Sequence, residues 1–419
     1  FDYDGSWADT TYYRLTRADG FAPSGNPGQS LIRAFVGNRQ GGWLPRVDLE
    51  HAAGTLSLGA ELRVHRSEHW GKVRWAENLP AGVGPERQFY SYRGGKDIAG
   101  VYAHEVWRAT ERLQATADLQ VVHNRYRIYR EAFVGTDLSD NYLFANPRAG
   151  LNYNLSDALH TYGSYGYVQR EPRLKNLYDA AESSGGAVPQ YRPLAGGGFD
   201  FDAPLVHPEK LHDVELGAGF RRPRFGVDAN LFWMDFRDEI VRSGQLDRFG
   251  QPITGNAGSS VHRGVEVGVR ATPWPAFELG GNASWSRNEF RDHRVFEDAD
   301  GAPRPDGLQL GGNEIAGFPR FVSNLRATWR GHGATLALAG RYAGGFFTTN
   351  FEDTNRRVTP HFVLDADLAY EIGVRPLQHT RLRLQVRNLL DRLYVLHGEG
   401  EDFFPAATRN AFAAIEVGF

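Results

Sequence analysis

The sequence predicts an all-β chain whose strands build a transmembrane antiparallel barrel, and three observations predict it. Apolar and polar residues alternate with period two along most of the chain, the repeat of strands that present each face to a different environment. About sixteen such stretches occur, many of ten residues or more, where an ordinary globular strand has about five or six and a tilted membrane strand about 9–11. The connections alternate between short and long, as in a barrel with tight turns on its periplasmic rim and large loops on its external rim.

In chain order the strands are expected near 5–16, 42–52, 55–66, 96–109, 111–130, 142–154, 157–169, 210–221, 224–240, 259–272, 276–290, 318–330, 333–346, 361–371, 379–390 and 409–419. In 55–65, Leu56, Leu58, Ala60, Leu62 and Val64 oppose Glu61, Arg63 and His65. In 113–121, Leu113, Ala115, Ala117, Leu119 and Val121 oppose Gln114, Asp118 and Gln120. The stretch 213–221 sets Val214, Leu216, Ala218 and Phe220 against Asp213, Glu215 and Arg221. Phe362, Leu364, Ala366, Leu368 and Tyr370 oppose a face containing Asp365, Asp367 and Glu371, and Leu382, Leu384 and Val386 oppose Arg381, Arg383, Gln385 and Arg387. The apolar faces are assigned to lipid and the charged faces to the lumen, since unpaired ions are too costly for a packed apolar core. Short turns fall at Ala53–Gly54, Leu155–Asp157, Arg222–Pro223, Thr272–Pro275 and Gly331–Gly333; long loops fall at 67–95, 131–141, 170–209, 241–258, 291–317, 347–360 and 391–408. The last strand ends in Phe419, with Val417, Ile415, Ala413 and Ala411 on the same face, an apolar stripe closed by an interfacial aromatic.

Composition removes several alternatives. No run approaches the roughly 18 apolar residues of a membrane helix. With 41% hydrophobic residues, 26 Phe, 9 Trp and a net charge of −3, the chain is not disordered and carries no basic footprint for nucleic acid. The mean hydropathy of −0.47 is the average of two opposed faces. Lys72, Lys96, Lys175 and Lys210 are the only lysines, so positive charge is almost all arginine. The absence of cysteine excludes disulfides and thiolate chemistry and suits passage through an oxidising compartment. The chain opens at Phe1 without a signal peptide, and its only methionine is Met234; it is expected to begin after processing or to be a piece of something longer.

Catalytic signatures are missing. His104–Glu105 continues into Val106–Trp107–Arg108 rather than a zinc motif and falls on opposite faces of a strand; Gly196–Gly198 lacks a strand-to-helix context; Glu297, Asp298 and Asp300 lack the final glutamate of a calcium loop. No residue is expected to be catalytic or to bind a metal, and no cofactor is expected.

A family resemblance rests on motifs in order along 142–419. After Tyr162-Gly-Ser-Tyr-Gly-Tyr comes Arg170-Glu-Pro172-Arg-Leu-Lys-Asn-Leu177-Tyr178. Then come His207-Pro208-Glu209-Lys-Leu-His-Asp-Val-Glu215-Leu-Gly, Gly264-Val-Glu, Phe318-Pro-Arg and Val386-Arg-Asn388-Leu-Leu-Asp391-Arg-Leu-Tyr394, closing at Arg409–Asn410 and Phe419. These resemble TonB-dependent outer-membrane receptors of the ferric siderophore type. The resemblance implies a barrel of roughly 22 strands around a plug; about 16 are legible across 1–419, so the plug and first strands are expected to be absent from this chain. It further implies location in the outer membrane of a Gram-negative bacterium, in contact with lipid and lipopolysaccharide. Energy would come from the TonB–ExbB–ExbD complex through the plug, and the barrel assembly machinery would act on the C-terminal strand. The haem-receptor signature is replaced by Gln169-Arg-Glu-Pro-Arg-Leu-Lys-Asn-Leu, which lowers haem as cargo.

Ligand capture favours aromatic and arginine side chains. The long loops supply His69, Trp70, Arg74 and Trp75; Tyr191, Arg192, Phe199 and Phe201; and Tyr394, His397, Phe403 and Phe404. Together they suit an anionic, partly aromatic ligand such as a ferric siderophore, whose iron arrives as part of the chelate. A 16-stranded passive porin, an adhesin, and glycan, haem or cobalamin receptors of the same family remain open at this point.

Overall fold

The computed structural model describes residues 2–5, 10–22, 29–132, 135–185, 187–246, 252–299, 301–373 and 380–417. Seventeen of the described strands belong to one sheet, and every ladder with a described register is antiparallel. They are β1 Asp2–Gly5, β2 Ser30–Trp43, β3 Arg46–His51, β4 Gly54–Ala76, β5 Gln88–Arg108, β6 Leu113–Tyr129, β7 Leu138–Asn154 and β8 Leu159–Arg170. After a long connection follow β9 Glu209–Arg222, β10 Phe225–Leu246, β11 Pro252–Trp274, β12 Phe277–Asp292, β13 Phe321–Gly331, β14 Ala334–Ala343, β15 His361–Ile372, β16 Thr380–Arg387 and β17 Asn410–Val417. Phe419 lies outside the described residues.

By its contacts the chain forms two compact units: Phe1–Glu105 with Asp118–Pro147 and Gln169–Pro208, and Val106–Ala117 with Arg148–Val168 and Glu209–Phe419. In the first unit, β2 and β3 form one ladder on β4, from Ser30↔Ala76 to Trp43↔Leu62 and on from Arg46↔Gly59 to His51↔Gly54. The break at Leu44–Pro45 follows from proline's missing N–H. Counting β2 and β3 as one strand gives the sixteen expected from the sequence, with the first two placed differently.

Of the expected strand 5–16, Gly5 closes the described strand Asp2–Gly5 and 6–9 lie outside the described residues. Thr10–Arg14 is a turn, and a short 3₁₀ segment, Arg17–Asp19, follows Thr16, whose backbone N–H and hydroxyl both donate to Asp19 Oδ2, at 3.0 and 2.6 Å. Tyr12 and Tyr13 are both buried, beside Leu15, Ile32, Val73 and Phe89. Consecutive residues of a strand point to opposite faces, so two neighbouring tyrosines in one core need a turn. Of β2 the expected strand 42–52 takes in only Gly42 and Trp43; its Gly37, Gly41, Gly42 and polar residues blur the alternation.

Several strands outrun the membrane. β4, β5, β10 and β11 have 23, 21, 22 and 23 residues, about twice what a membrane strand needs. The expected loop 67–95 therefore shrinks to 77–87, and of the expected loop 241–258 the described residues, 241–246 and 252–258, are strand, while 247–251 lie outside the described residues.

The second unit shows what the alternation is for. Antiparallel partners share a face, so the registers place Leu216, Leu231, Val265, Trp285 and Phe321 in one outward row. All five are exposed, Trp285 at 69%. Lower rows add Val269, Leu325, Leu336, Leu368 and Leu384. Aromatics bound this field: Trp274 stacks on Phe277 with centroids 5.0 Å apart and Trp329 opposite, near the short turns, while Phe321 meets Tyr342 at 5.8 Å at the other end. An apolar band between two aromatic girdles is the outer surface of a membrane barrel. The opposite face carries paired ions. Asp365 accepts from Arg341 at 3.1 Å and Arg387 at 3.4 Å, Asp367 from Gln385 at 2.6 Å, and Glu215 from Asn230 at 3.3 Å. His104 and Glu105 diverge as expected, His104 to Asp118 at 2.6 Å and Glu105 to His51 at 2.9 Å.

Two motif positions acquire a packing reason. The Tyr162 ring lies across Gly217, where a Cβ would come within 2.3 Å of it. Gly217→Ala must displace that ring, and overpacking of this kind costs about 1–3 kcal/mol.

Leu368 and Leu384 face each other in the β15–β16 ladder and are both exposed on the apolar side, next to Gln385 on the polar side. Leu368→Arg or Leu384→Arg should destabilise by about 2–4 kcal/mol in a lipid-refolding titration. Gln385→Arg, facing Asp367, should cost under about 1 kcal/mol. Equal costs at the three positions would refute the assigned register.

Candidate ligand-capture loops

The connection 170–209 folds on its own core. A one-turn helix, Leu174–Leu177, sends Leu177 and Tyr178 into a buried cluster with Ile128, Leu138, Ala180 and Tyr191, against which Leu174, Phe199, Phe201 and Val206 pack. Tyr191–Pro193 and Phe199–Pro204 form a hairpin whose turn uses Gly197 and Gly198 at φ of 90° and 80°, open to glycine without strain. The Tyr191 hydroxyl donates to Asp140, and burial first, then that carboxylate, pushes the tyrosine's pKa far up. At the root of the connection Glu171 accepts from Lys96 at 2.6 Å, and the ammonium sits 4.9 Å from the Tyr126 ring centroid. Burial pushes the Glu171 carboxyl up, but the hydrogen bond and charge of Lys96 outweigh it and hold the carboxyl below its ordinary value.

In the second unit the last connection is knotted at its base. Asn388 and Asp391 both adopt left-handed backbone, with φ of 51° and 52°. The Asn388 amide N–H donates to Asp365 Oδ1 at 2.9 Å; its side chain accepts from Arg392 N–H at 2.9 Å and donates to the carbonyls of Arg392 at 2.9 Å and Ala407 at 3.2 Å. Asp391 Oδ1 accepts from Arg409 N–H at 2.8 Å, and Tyr394 stacks on His361 with centroids 4.5 Å apart. The NLxDxxY spacing is thus a clamp holding 388–409 at both ends. Glu209 works similarly: it is buried, and its Oε2 accepts from Ile240 N–H at 2.8 Å just beyond the left-handed Asp238.

Above the clamp, four connections are woven together. Buried Glu399 accepts from Arg242 at 3.1 Å and from Gly244 N–H at 3.2 Å, and burial raises its pKa. Asn350 donates to Arg242 O at 2.7 Å and accepts from Ala316 N–H at 3.0 Å, while Thr348 donates to Gly400 O at 2.6 Å.

The candidate contact residues fare differently. Tyr191 is buried and Phe199 and Phe201 pack against its cluster, so these three hold the loop's shape. Arg192 is 65% exposed on the hairpin edge, paired with Asp200. His69 and Trp70 fall within β4 and turn to opposite faces: His69 stacks on Tyr92 at 4.6 Å and Trp70 on Phe35 at 5.0 Å. Arg74 is exposed near the top of that strand. Phe403 and Phe404 are exposed on the hairpin 395–405, where Phe404 stacks on His397 at 5.8 Å. Among the motif residues Pro172 is buried, Pro208 half-buried and Arg170 exposed. Asp298 caps a turn through Ala302 N–H at 3.0 Å, and the described residues contain no cluster of three metal-ligating side chains. What these connections offer a ligand is contact area and guanidinium charge; sequence reasoning did not identify Asp140, Asn350 and Glu399, whose hydrogen bonds hold them in place.

A family model described as TonB dependent receptor-like, beta-barrel, matches residues 1–389. No curated protein matches the sequence. Among solved structures, the ferric-catecholate import receptor Fiu from K12 E. coli in its closed form is 16% identical, over 93% of this chain and 55% of that one, with a TM-score of 0.61. The ferric yersiniabactin uptake receptor FyuA from Yersinia pestis is 16% identical over 93% and 55%, with a TM-score of 0.64. The copper transporter OprC is 15% identical over 93% and 60%, with a TM-score of 0.69. The chain spans little more than half the length of each, and the likeness at these identities is one of fold.

Tyr191→Phe removes the donor to buried Asp140, a loss worth about 1–3 kcal/mol. Trypsin should then cut 170–209 of the folded protein faster, at Lys175 or Arg192, while Arg222 in the short turn stays protected. Unchanged cleavage would show that the Tyr191–Asp140 bond does not hold the loop down.

Proposed function

Because the chain belongs to the TonB-dependent receptor β-barrel family, we propose that it is part of an outer-membrane receptor of a Gram-negative bacterium that binds a ferric siderophore and imports it with energy from TonB. The observation that carries this reading is the pairing of an outward apolar band with tied-down external connections that still expose Arg192, Phe403 and Phe404. Guanidinium and aromatic groups suit the anionic, aromatic surface of a ferric catecholate better than a neutral sugar. Two of the structures named above are described as ferric-chelate receptors. Transport requires no covalent chemistry, so no residue is assigned a catalytic role. Coupling would pass through a plug domain and the TonB–ExbB–ExbD complex.

Equilibrium binding of ferric catecholate, ferric citrate, copper and an oligosaccharide to the full-length receptor tests the cargo. Arg192→Ala and, separately, Phe403→Ala with Phe404→Ala should weaken one ferric chelate by about tenfold or more, the scale of a contact hot spot. Barrel yield should not change. Unchanged affinity for every ferric chelate, with tight oligosaccharide binding, would move the function to glycan uptake. Cells lacking TonB should bind the chelate at the surface but not accumulate it; undiminished accumulation would make the barrel a passive porin.

A further inference from the structure

The hairpin 395–405 carries the exposed Phe404, and residues of two other connections set its position. Backbones meet closely at its tip: a Cβ on Gly400 would strike Gly244 O, and one on Gly398 would strike Thr348 Cγ2. Thr348 bridges to Gly400 twice, its carbonyl accepting from Gly400 N–H at 2.9 Å and its hydroxyl donating to Gly400 O at 2.6 Å. Glu401 accepts from Arg356 at 2.5 Å. Glu399, with its side chain 3% exposed, joins the hairpin to the end of β10: Oε1 accepts from Gly244 N–H at 3.2 Å and Oε2 from Arg242 at 3.1 Å.

Arg242 differs from the rest of this junction, because its side chain stays 45% exposed although a buried carboxylate holds it. One nitrogen makes both of its bonds: Nη1 donates to Glu399 Oε2 and, at 3.0 Å, to His397 Nε2. A guanidinium has donors only, so His397 Nε2 is the unprotonated, accepting nitrogen of its ring. Burial and the neighbouring guanidinium hold that imidazole below its usual range, which keeps it an acceptor at neutral pH. Among the described residues no group pairs with Nε or Nη2 of Arg242. His397 in turn stacks on Phe404, with centroids 5.8 Å apart and the planes 19° from parallel. The free edge of a planar, anchored donor set thus stands beside an exposed aromatic face. A guanidinium fixed before binding loses less side-chain freedom on binding, and its fork fits a pair of anionic oxygens.

We propose that Arg242 and Phe404 form a capture subsite for an anionic aromatic group, its paired oxygens on the guanidinium edge and its ring against Phe404, and that Glu399 is the positioning residue of that subsite. The subsite deepens the ferric-chelate reading above and rests on it. The test is equilibrium binding of ferric tris-catecholate to the full-length receptor, with hydrogen exchange of 395–405 and of β15–β16 measured on the same preparations. Arg242→Ala and Glu399→Ala should each weaken binding about tenfold, the scale of a contact hot spot. Glu399→Gln, which keeps an acceptor for only one of the two donors, should fall between wild type and Glu399→Ala. The two losses should not add, since the carboxylate acts through the guanidinium: the double alanine variant should bind no more than about twofold worse than Arg242→Ala alone. Glu399→Ala should speed exchange in 395–405 and leave β15–β16 unchanged. Arg242→Lys keeps the charge beside Glu399 but loses the fork, so it should weaken binding about fivefold with exchange in 395–405 at the wild-type rate, a result that a purely structural role would not give. Wild-type affinity in Arg242→Ala or Glu399→Ala, losses that multiply in the double variant, or unchanged exchange of 395–405 in Glu399→Ala overturns the proposal and leaves the ferric-chelate reading standing. A wild type that binds no ferric chelate refutes that reading and this subsite with it.

Discussion

The constraint on which the structure depends is that a backbone in hydrocarbon must satisfy its own hydrogen bonds. Paired strands do so, and pairing fixes the side-chain period at two. Everything on the outside of the second unit then follows from register: Leu216, Leu231, Val265, Trp285 and Phe321 line up because their backbones are bonded, and their exposure reflects a lipid solvent. The opposite face, freed from lipid, holds Asp365 and Asp367 among arginines.

What was legible in the sequence was the part under that constraint. The stretches 55–65, 213–221, 361–371 and 381–387 are strands on the expected faces because lipid tolerates few exceptions there. Legibility fades where the strands leave the membrane. The upper halves of β4, β5, β10 and β11 alternate between water and the lumen, both polar, so nothing marks them as strands, and β2 is hidden by its glycines. Composition alone also does not separate a ligand-facing aromatic from one that packs a loop. Tyr191 and Phe201 proved to be packing because Asp140 and Leu177 come to them from distant positions, while Arg192 next door remains exposed.

The family motifs are likewise local solutions to folding problems. Asn388 and Asp391 spend their side chains on backbone groups that two left-handed residues leave unpaired, and Glu209 does the same beside Asp238. Gly217 exists as glycine because Tyr162 occupies the space of its Cβ. None of these positions needs to touch cargo, so their presence identifies the scaffold and carries no information on what it binds.

The long strands bear on how precisely the capture surface is placed. A strand of 23 residues rises about 3.3 Å per residue, roughly 75 Å in all, of which a tilted crossing of a band about 25 Å tall uses a little under half. The remainder stands in water as hydrogen-bonded sheet. Groups carried at its rim inherit the stiffness of the ladder, so their spacing is set by strand separation and not by loop entropy. A receptor built this way can hold a shape for its ligand before the ligand arrives, and it can exchange one short hairpin for another without giving up the geometry of the rest.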